Sequence, residues 1–223
     1  HRLSLEDAAR ICRYQFLRDT AREVGATKIA LAHNHNDQAE TLLMRFIRGT
    51  GSKGLCGMQE TRLLDGIPLI RPLLHTSRTA IEAYVREHQL QFQHDETNDE
   101  VVFVRNKLRH QVIPLLKELN PNLEETLARM SVLFTDEEQY WEGLATQTYR
   151  ELLITASARE IKLDSQSLHM LPKALQRRVI RKAIEKLQGT LHTISLLYVE
   201  NFLDNNLNTL YINAIGVIEG KKA

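Results

Sequence analysis

Apolar positions recur at two different spacings along the first hundred residues, and the switch between them outlines an α/β chain. Ala8, Ile11, Cys12, Phe16 and Leu17 repeat at helical intervals behind Ser4 and the acidic pair Glu6 and Asp7, which predicts a capped helix that Gly25 ends. The next run, Lys28 to Ala32, is short and apolar enough for a buried parallel strand. One strand cannot form a sheet, so the pattern implies an α/β unit whose N-terminal part precedes His1. A second helix beginning near Asn36 would place Asp37, Glu40, Thr41 and Met44 on one face. "GIPLIRPLL" (66–74) reads as a turn and a short strand punctuated by Pro68 and Pro72, and Ser77 opens an amphipathic helix carrying Ile81, Tyr84 and Val85. The loop "HDETNDE" then leads to "VFVRNKLRHQVIPLLKEL", closed by Asn120-Pro121.

From about residue 122 the pattern is helical almost throughout, residues 123–153 forming one long helix or two, with Trp141 assigned to the core. In "ALQRRVIRKAIEKLQG", Leu175, Val179, Ile180 and Ile184 make the buried face, and Arg177, Arg178, Arg181 and Lys182 cluster on the other side. That cluster is either a phosphate-tracking patch or a solvated helix face. The tail alternates like a strand around Tyr211, Asn213, Ile215 and Val217, with no partner strand in view.

Composition changes this picture little. Hydrophobic residues are 43% and charged residues 26% of 223, the range of an ordinary globular protein. A formal net charge of +1 means that a large polyanion would have to be met by patches rather than by bulk charge. Cys12 and Cys56 lie far apart, which suggests neither a disulfide framework nor a cysteine zinc site and makes a reducing cytoplasm the expected setting. No apolar run approaches the length of a membrane span. His75, His88, His94 and His110 are scattered with no ligand spacing.

The candidate chemistry sits in "HNHNDQAET", residues 33–41. His33, His35 and Asp37 resemble the opening of the metallo-β-lactamase signature, but Gln38 stands where that pattern has another histidine, and few strands are visible. The continuation, "DQAETLLMRFIRGTGSKGLCGM", resembles the N-type ATP pyrophosphatases of the PP-loop superfamily, and among them the tRNA(Ile)-lysidine synthetases. Their pattern His-x-x-Asp-Asp-x-x-Glu-Thr is matched by His33, Asp37, Glu40 and Thr41, with Asn36 replacing the first aspartate. "RYQFL" (13–17), Asp95, Asn98, Arg105-Asn106, Arg109-His110 and "LPKALQRRVIRKAIEKL" extend the likeness over residues 4–205.

The resemblance implies a partial, N-terminally truncated α/β nucleotide-binding domain with a parallel sheet over residues 1–120. A mainly helical domain over 121–205 would follow, and 206–223 would be a tail or the start of a further domain. It implies ATP-dependent ligation of lysine to the wobble cytidine of an isoleucine tRNA with a CAU anticodon, through an adenylated tRNA. Asp37, Glu40, Arg13 and Arg105 would be catalytic, His33 would bind nucleotide, and Asp37 would be a candidate Mg²⁺ ligand. Arg109, Arg177, Arg178, Arg181 and Lys182 would contact RNA, and a homodimer is compatible with the family. The Ser-Gly-Gly-x-Asp-Ser phosphate loop of the family is not in this chain, so residues 1–223 alone are expected not to ligate. A non-catalytic tRNA-binding protein and a metallohydrolase are the alternatives, and a thiolating relative is disfavoured by the lack of paired cysteines.

Overall fold

Helix α1 (Leu5–Glu23) ends where Gly25, at φ +64°, lets the Gly25 and Ala26 amides turn back onto the carbonyls of Arg22 and Ala21. The computed structural model that shows this describes residues 5–92, 104–189, 194–205, 209–212 and 218–221. The chain packs as two units, residues 1–136 and 137–223.

In the first unit, strand β1 (Ile29–Ala30) pairs in parallel with β3 (Ile67–Ile70), and β3 pairs antiparallel with β2 (Thr61–Leu64). The β2–β3 connection is two residues, Asp65 and Gly66, both at positive φ, as a tight hairpin between right-twisted strands requires. The strand expected at 28–32 therefore exists and is parallel, but only two of its residues are strand. Tyr14, Leu17 and Ala21 of α1 pack on Ile29 and Leu69 of this sheet. The expected apolar face of α1 is corrected here: Ile11, Cys12 and Phe16 are exposed. A helix against one sheet buries a stripe of about 100°, and Tyr14, Leu17 and Ala21 already occupy it.

Helix α2 (His35–Arg48) follows β1 and buries Gln38, Ala39, Glu40 and Leu42. A short helix, α3 (Ser52–Leu55), lies in the glycine-rich loop behind it. Arg45 clamps that loop by donating to the Gly54 and Gly57 carbonyls at 2.8 and 2.7 Å. The buried Gln38 amide holds its end, accepting from Met58 N at 2.7 Å and donating to Met58 O and Ser131 Oγ, each at 3.1 Å. Gln38, which breaks the zinc-type pattern, is thus a packing residue. Helix α4 (Arg78–Glu87) is capped by Ser77, whose hydroxyl accepts from Ala80 N, as its sequence predicts. The loop 94–100, with Asp95 and Asn98, lies outside the described residues.

After that loop, α5 (Val104–Lys107), a π-helical turn (Leu108–Val112) and α6 (Ile113–Leu119) run on continuously. Pro114 has no amide to offer in the usual pattern, and the Ile113 amide reaches back five residues to Leu108 O. Helix α7 (Leu123–Leu152) is one helix of 30 residues.

The second unit corrects the expectation of helix almost throughout. Strands β4 (Leu153–Ala156) and β5 (Glu160–Leu163) form a hairpin, and β6 (Thr209–Ile212) and β7 (Ile218–Lys221) add to it in the antiparallel order β4-β5-β6-β7. The tail therefore has its partner strand, β5, inside this chain; Asn213, Ile215 and Val217 lie outside the described residues. Between β5 and β6 come α8 (Ser165–Met170), α9 (Lys173–Gln188) and α10 (Leu196–Asp204). The expected buried face of α9, Leu175, Val179, Ile180 and Ile184, meets Ile161, Leu163, Val199, Phe202 and Leu203 in one core. Trp141, expected in the core, is not part of it: the ring is half-buried and lies beneath the Arg178 guanidinium.

Gly57 sits at φ +66°, and an added Cβ would stand 2.6 Å from Gln38 Nε2. Gly57→Ala is expected to lower unfolding free energy by about 2–4 kcal/mol, from left-handed strain plus lost Gln38 hydrogen bonds. Gly66→Ala, at φ +88° in open space, should cost only about 1–2 kcal/mol. Denaturant titration of the two variants checks the order.

Candidate active site

The site begins at the N-terminus of α2. Asn34 caps the helix in an extended conformation, its Oδ1 accepting from Asn36 N and Asp37 N at 3.0 and 3.2 Å. Asp37 returns the bond, its Oδ2 accepting from Asn34 N at 3.0 Å. This reciprocal capping box fixes the Asp37 carboxylate against the helix start. Glu40 follows one turn later on the same face, with 1% of its side chain exposed against 17% for Asp37.

A buried carboxylate needs a partner, and Glu40 has two. Arg105 Nε donates to Oε2 and Arg109 Nε to Oε1, both at 2.6 Å. The same guanidiniums reach Asp37 Oδ1, Arg105 Nη2 at 3.0 Å and Arg109 Nη2 at 3.6 Å. Four residues apart across the α5/π-helical junction, the two arginines share one face. The result is a quartet of two carboxylates and two guanidiniums with no net charge. Every carboxylate oxygen in it already accepts a hydrogen bond, and a divalent cation at Asp37 would face both guanidiniums, so the quartet as it stands does not suit Mg²⁺.

His33, at the end of the β1 segment, is half-buried, and its Nδ1 accepts from Arg71 Nε at 3.1 Å. That bond places the remaining proton of the neutral ring on Nε2. Burial pushes the His33 pKa below its ordinary 6.5; Asp37 opposes this, while Arg71, Arg105 and Arg13 add to it. Arg71 is itself buried and tied to Gln59 O at 2.6 Å. It is a site residue that sequence reading passed over, although an arginine inside the apolar run "LIRPLL" was a visible signal. Arg13 is exposed on α1, 5.9 Å from the Tyr14 ring centre, with its charge felt at His33.

Asn36, the departure from the family pattern, uses both ends of its amide. Nδ2 donates to Glu124 Oε1 at 2.7 Å and Oδ1 accepts from Arg78 N at 3.2 Å. An aspartate here would set a second carboxylate against Glu124, which Lys117 already pairs at 2.7 Å. The zinc alternative needs clustered ligands, and among the described residues no three His, Cys, Asp or Glu side chains form such a group.

The basic residues of α9 are far from free. Arg177 pairs with Glu200 at 2.5 Å, Arg178 holds Glu138 through both its terminal nitrogens, and Lys182 pairs with Glu142. Arg181 is half-buried with none of these contacts. Three of the four cations thus bind glutamates within the second unit.

A family model described as a PP-loop domain matches residues 1–116. Among curated proteins, the chain is 41% identical over 199 residues to a tRNA(Ile)-lysidine synthase of Geobacter sulfurreducens, covering 89% of this chain and 42% of that protein. It is 37% identical over 187 residues to the tRNA(Ile)-lysidine synthase of Geobacillus kaustophilus, covering 84% and 40%. With the Bacillus subtilis protein of the same name it shares 32% over 203 residues, covering 91% and 43%. The chain thus spans about two-fifths of the length of these relatives. Of solved structures, a U34-tRNA thiolase from Methanococcus maripaludis aligns with a TM-score of 0.48 at 15% identity, covering 60% of this chain and 45% of that one. Among the described residues no helix is long and apolar enough to cross a membrane.

Two outcomes are expected from this geometry. Glu40→Gln leaves two guanidiniums against an uncharged amide and should destabilise the fold by about 3 kcal/mol, with Asp37→Asn costing about 1 kcal/mol because Asp37 is more exposed; chemical denaturation of both variants reads the difference. For His33, the folded ring resists a proton that the unfolded chain accepts. Stability should therefore fall as the pH drops from about 6.5 toward the lowered folded pKa. His33→Gln, which keeps an acceptor for Arg71, should flatten that part of the pH–stability curve, and NMR titration of the ring should place its midpoint below 6.5.

Proposed function

The chain belongs to the PP-loop domain family, and from that premise we propose that it is the part of a tRNA(Ile)-lysidine synthase-type ligase that holds the acidic half of the reaction site. The observation that supports this is the similarity to enzymes of that name, which runs along about nine-tenths of the chain. The reaction in this reading has two displacements. The oxygen on C2 of the wobble cytidine attacks the α-phosphorus of ATP and releases pyrophosphate. The lysine ε-amine then attacks C2, the C2–O bond breaks, and AMP leaves. Isoleucine tRNA and lysine are the substrates, in the cytoplasm.

The amine must lose a proton to attack, and a carboxylate must stand near it. Asp37 fits that task better than Glu40, because Asp37 is partly exposed whereas Glu40 is sealed behind two arginines. Asp37 would hold the lysine ammonium and accept its proton. Glu40 is a positioning residue that sets Arg105 and Arg109 beside Asp37. Those guanidiniums, each about a quarter exposed, would meet the negative charge of the adenylated intermediate and the leaving AMP. His33, neutral and protonated on Nε2, is suited to donate to a nucleotide oxygen or ring nitrogen. The α9 cations act in this reading chiefly as ion-pair partners of the second unit.

The test is incorporation of labelled lysine into unmodified isoleucine tRNA with ATP, using the complete gene product. Wild-type protein should incorporate lysine, and Asp37→Asn should reduce the rate by at least about 100-fold while the circular dichroism spectrum stays native. No incorporation by the wild type would sink the assignment, and normal turnover by Asp37→Asn would remove Asp37 from its role.

A further inference from the structure

Arginines gather around Tyr14, and among the described residues no acid pairs with them. The Arg62, Arg13 and Arg10 guanidinium carbons lie 4.7, 5.9 and 6.0 Å from the Tyr14 ring centre. Among the described residues none of the three forms an ion pair. Arg62 Nε is buried with no hydrogen-bond partner. A buried unpaired donor and converging like charges both oppose folding unless an anion meets them. The repulsion extends inward: besides burial, which matters most, the charges of Arg62 and Arg10 lower the pKa of Arg71, while Tyr14 works the other way.

Arg10, Tyr14 and Arg62 line one open cleft of about 250 Å³ between α1 and the β2–β3 hairpin. Its single carboxylate, Asp65, is already paired with Arg18 at 3.0 Å and leaves the other cations unbalanced. We propose that this cleft is a phosphate subsite that takes one phosphodiester of an RNA backbone between Arg10 and Arg62, with Tyr14 as the platform beneath them. The proposal rests on the reading that the substrate is a tRNA. Overall charge favours RNA here for a physical reason. A net charge of +1 supplies no bulk attraction, and the α9 cations are largely taken by glutamates, so a polyanion needs a cluster without acids. A bound phosphate would also be linked to the reaction site, since the charges of Arg62 and Arg10 act on Arg71 and Arg71 donates to His33.

The experiment compares the complete wild-type protein with Arg10→Ala/Arg62→Ala and Arg10→Lys/Arg62→Lys in filter binding of unmodified isoleucine tRNA across a salt series. The alanine pair should bind several-fold more weakly at low salt and flatten the slope of log affinity against log salt by about 1, while the lysine pair keeps the slope. ATP affinity measured without tRNA should be unchanged in both. An unchanged slope in the alanine pair overturns the subsite. Lost ATP affinity with an intact slope overturns it too, assigning the cleft to the nucleotide. Lysine transfer by the wild type is scored separately. A flattened slope without any lysine transfer would leave the subsite standing and remove the ligase reading; transfer with an unchanged slope would do the reverse.

Discussion

The burial of Glu40 is the constraint from which the rest of the first unit follows. A carboxylate with 1% of its side chain exposed is sustained only by charged hydrogen-bond donors on its oxygens. Those donors come from Arg105 and Arg109, more than sixty residues further along. Helix α2 is therefore obliged to pack against the α5/π-helical junction, and a one-residue change of register there would separate an arginine from its oxygen. The π-helical turn next to Pro114 is part of how that junction is built. Asp37, one turn earlier, completes the charge balance while remaining open enough to meet a substrate.

The same helix organises the loop behind it. Gln38 and Arg45, on α2, satisfy the carbonyls and amide of the glycine-rich loop, and Gln38 also reaches Ser131 on α7. One helix thus presents acids toward the arginines and amide or guanidinium donors toward the loop. A side chain from each group, Gln38 and Glu40, is buried. The Asn36 amide adds a third tie, to Glu124 and to the start of α4.

Charge is used differently in the two units. In the second unit, arginine and lysine on α9 are matched by Glu138, Glu142 and Glu200, an arrangement that brings helices together but offers little to an external anion. In the first, arginines collect near Tyr14 and His33 with few acids between them. A neutral histidine among them is a direct electrostatic consequence: burial and three neighbouring guanidiniums disfavour its charged form more than Asp37 favours it.

Local sequence was sufficient wherever a local interaction decides. The helix opening near Asn36, the Ser77 cap, the turn at Gly25 and the apolar face of α9 were legible because capping bonds and helical spacing involve residues a few positions apart. The pairing of Asp37 with Glu40 on one face was legible for the same reason. Strands β4 and β5 were not, since four-residue runs such as "LITA" and "EIKL" carry too little pattern to stand out beside a long helix. The partner of β5 in β6 lies some fifty residues away, and only the folded chain supplies that ladder. Tertiary structure alone also decided which cations are engaged. Arg109 and Arg178 look alike in sequence as basic residues on helices, yet one closes over a buried glutamate beside Asp37 and the other is bound to Glu138. What a charged side chain does depends on the opposite charge it meets, and that partner is chosen by the packing of distant segments.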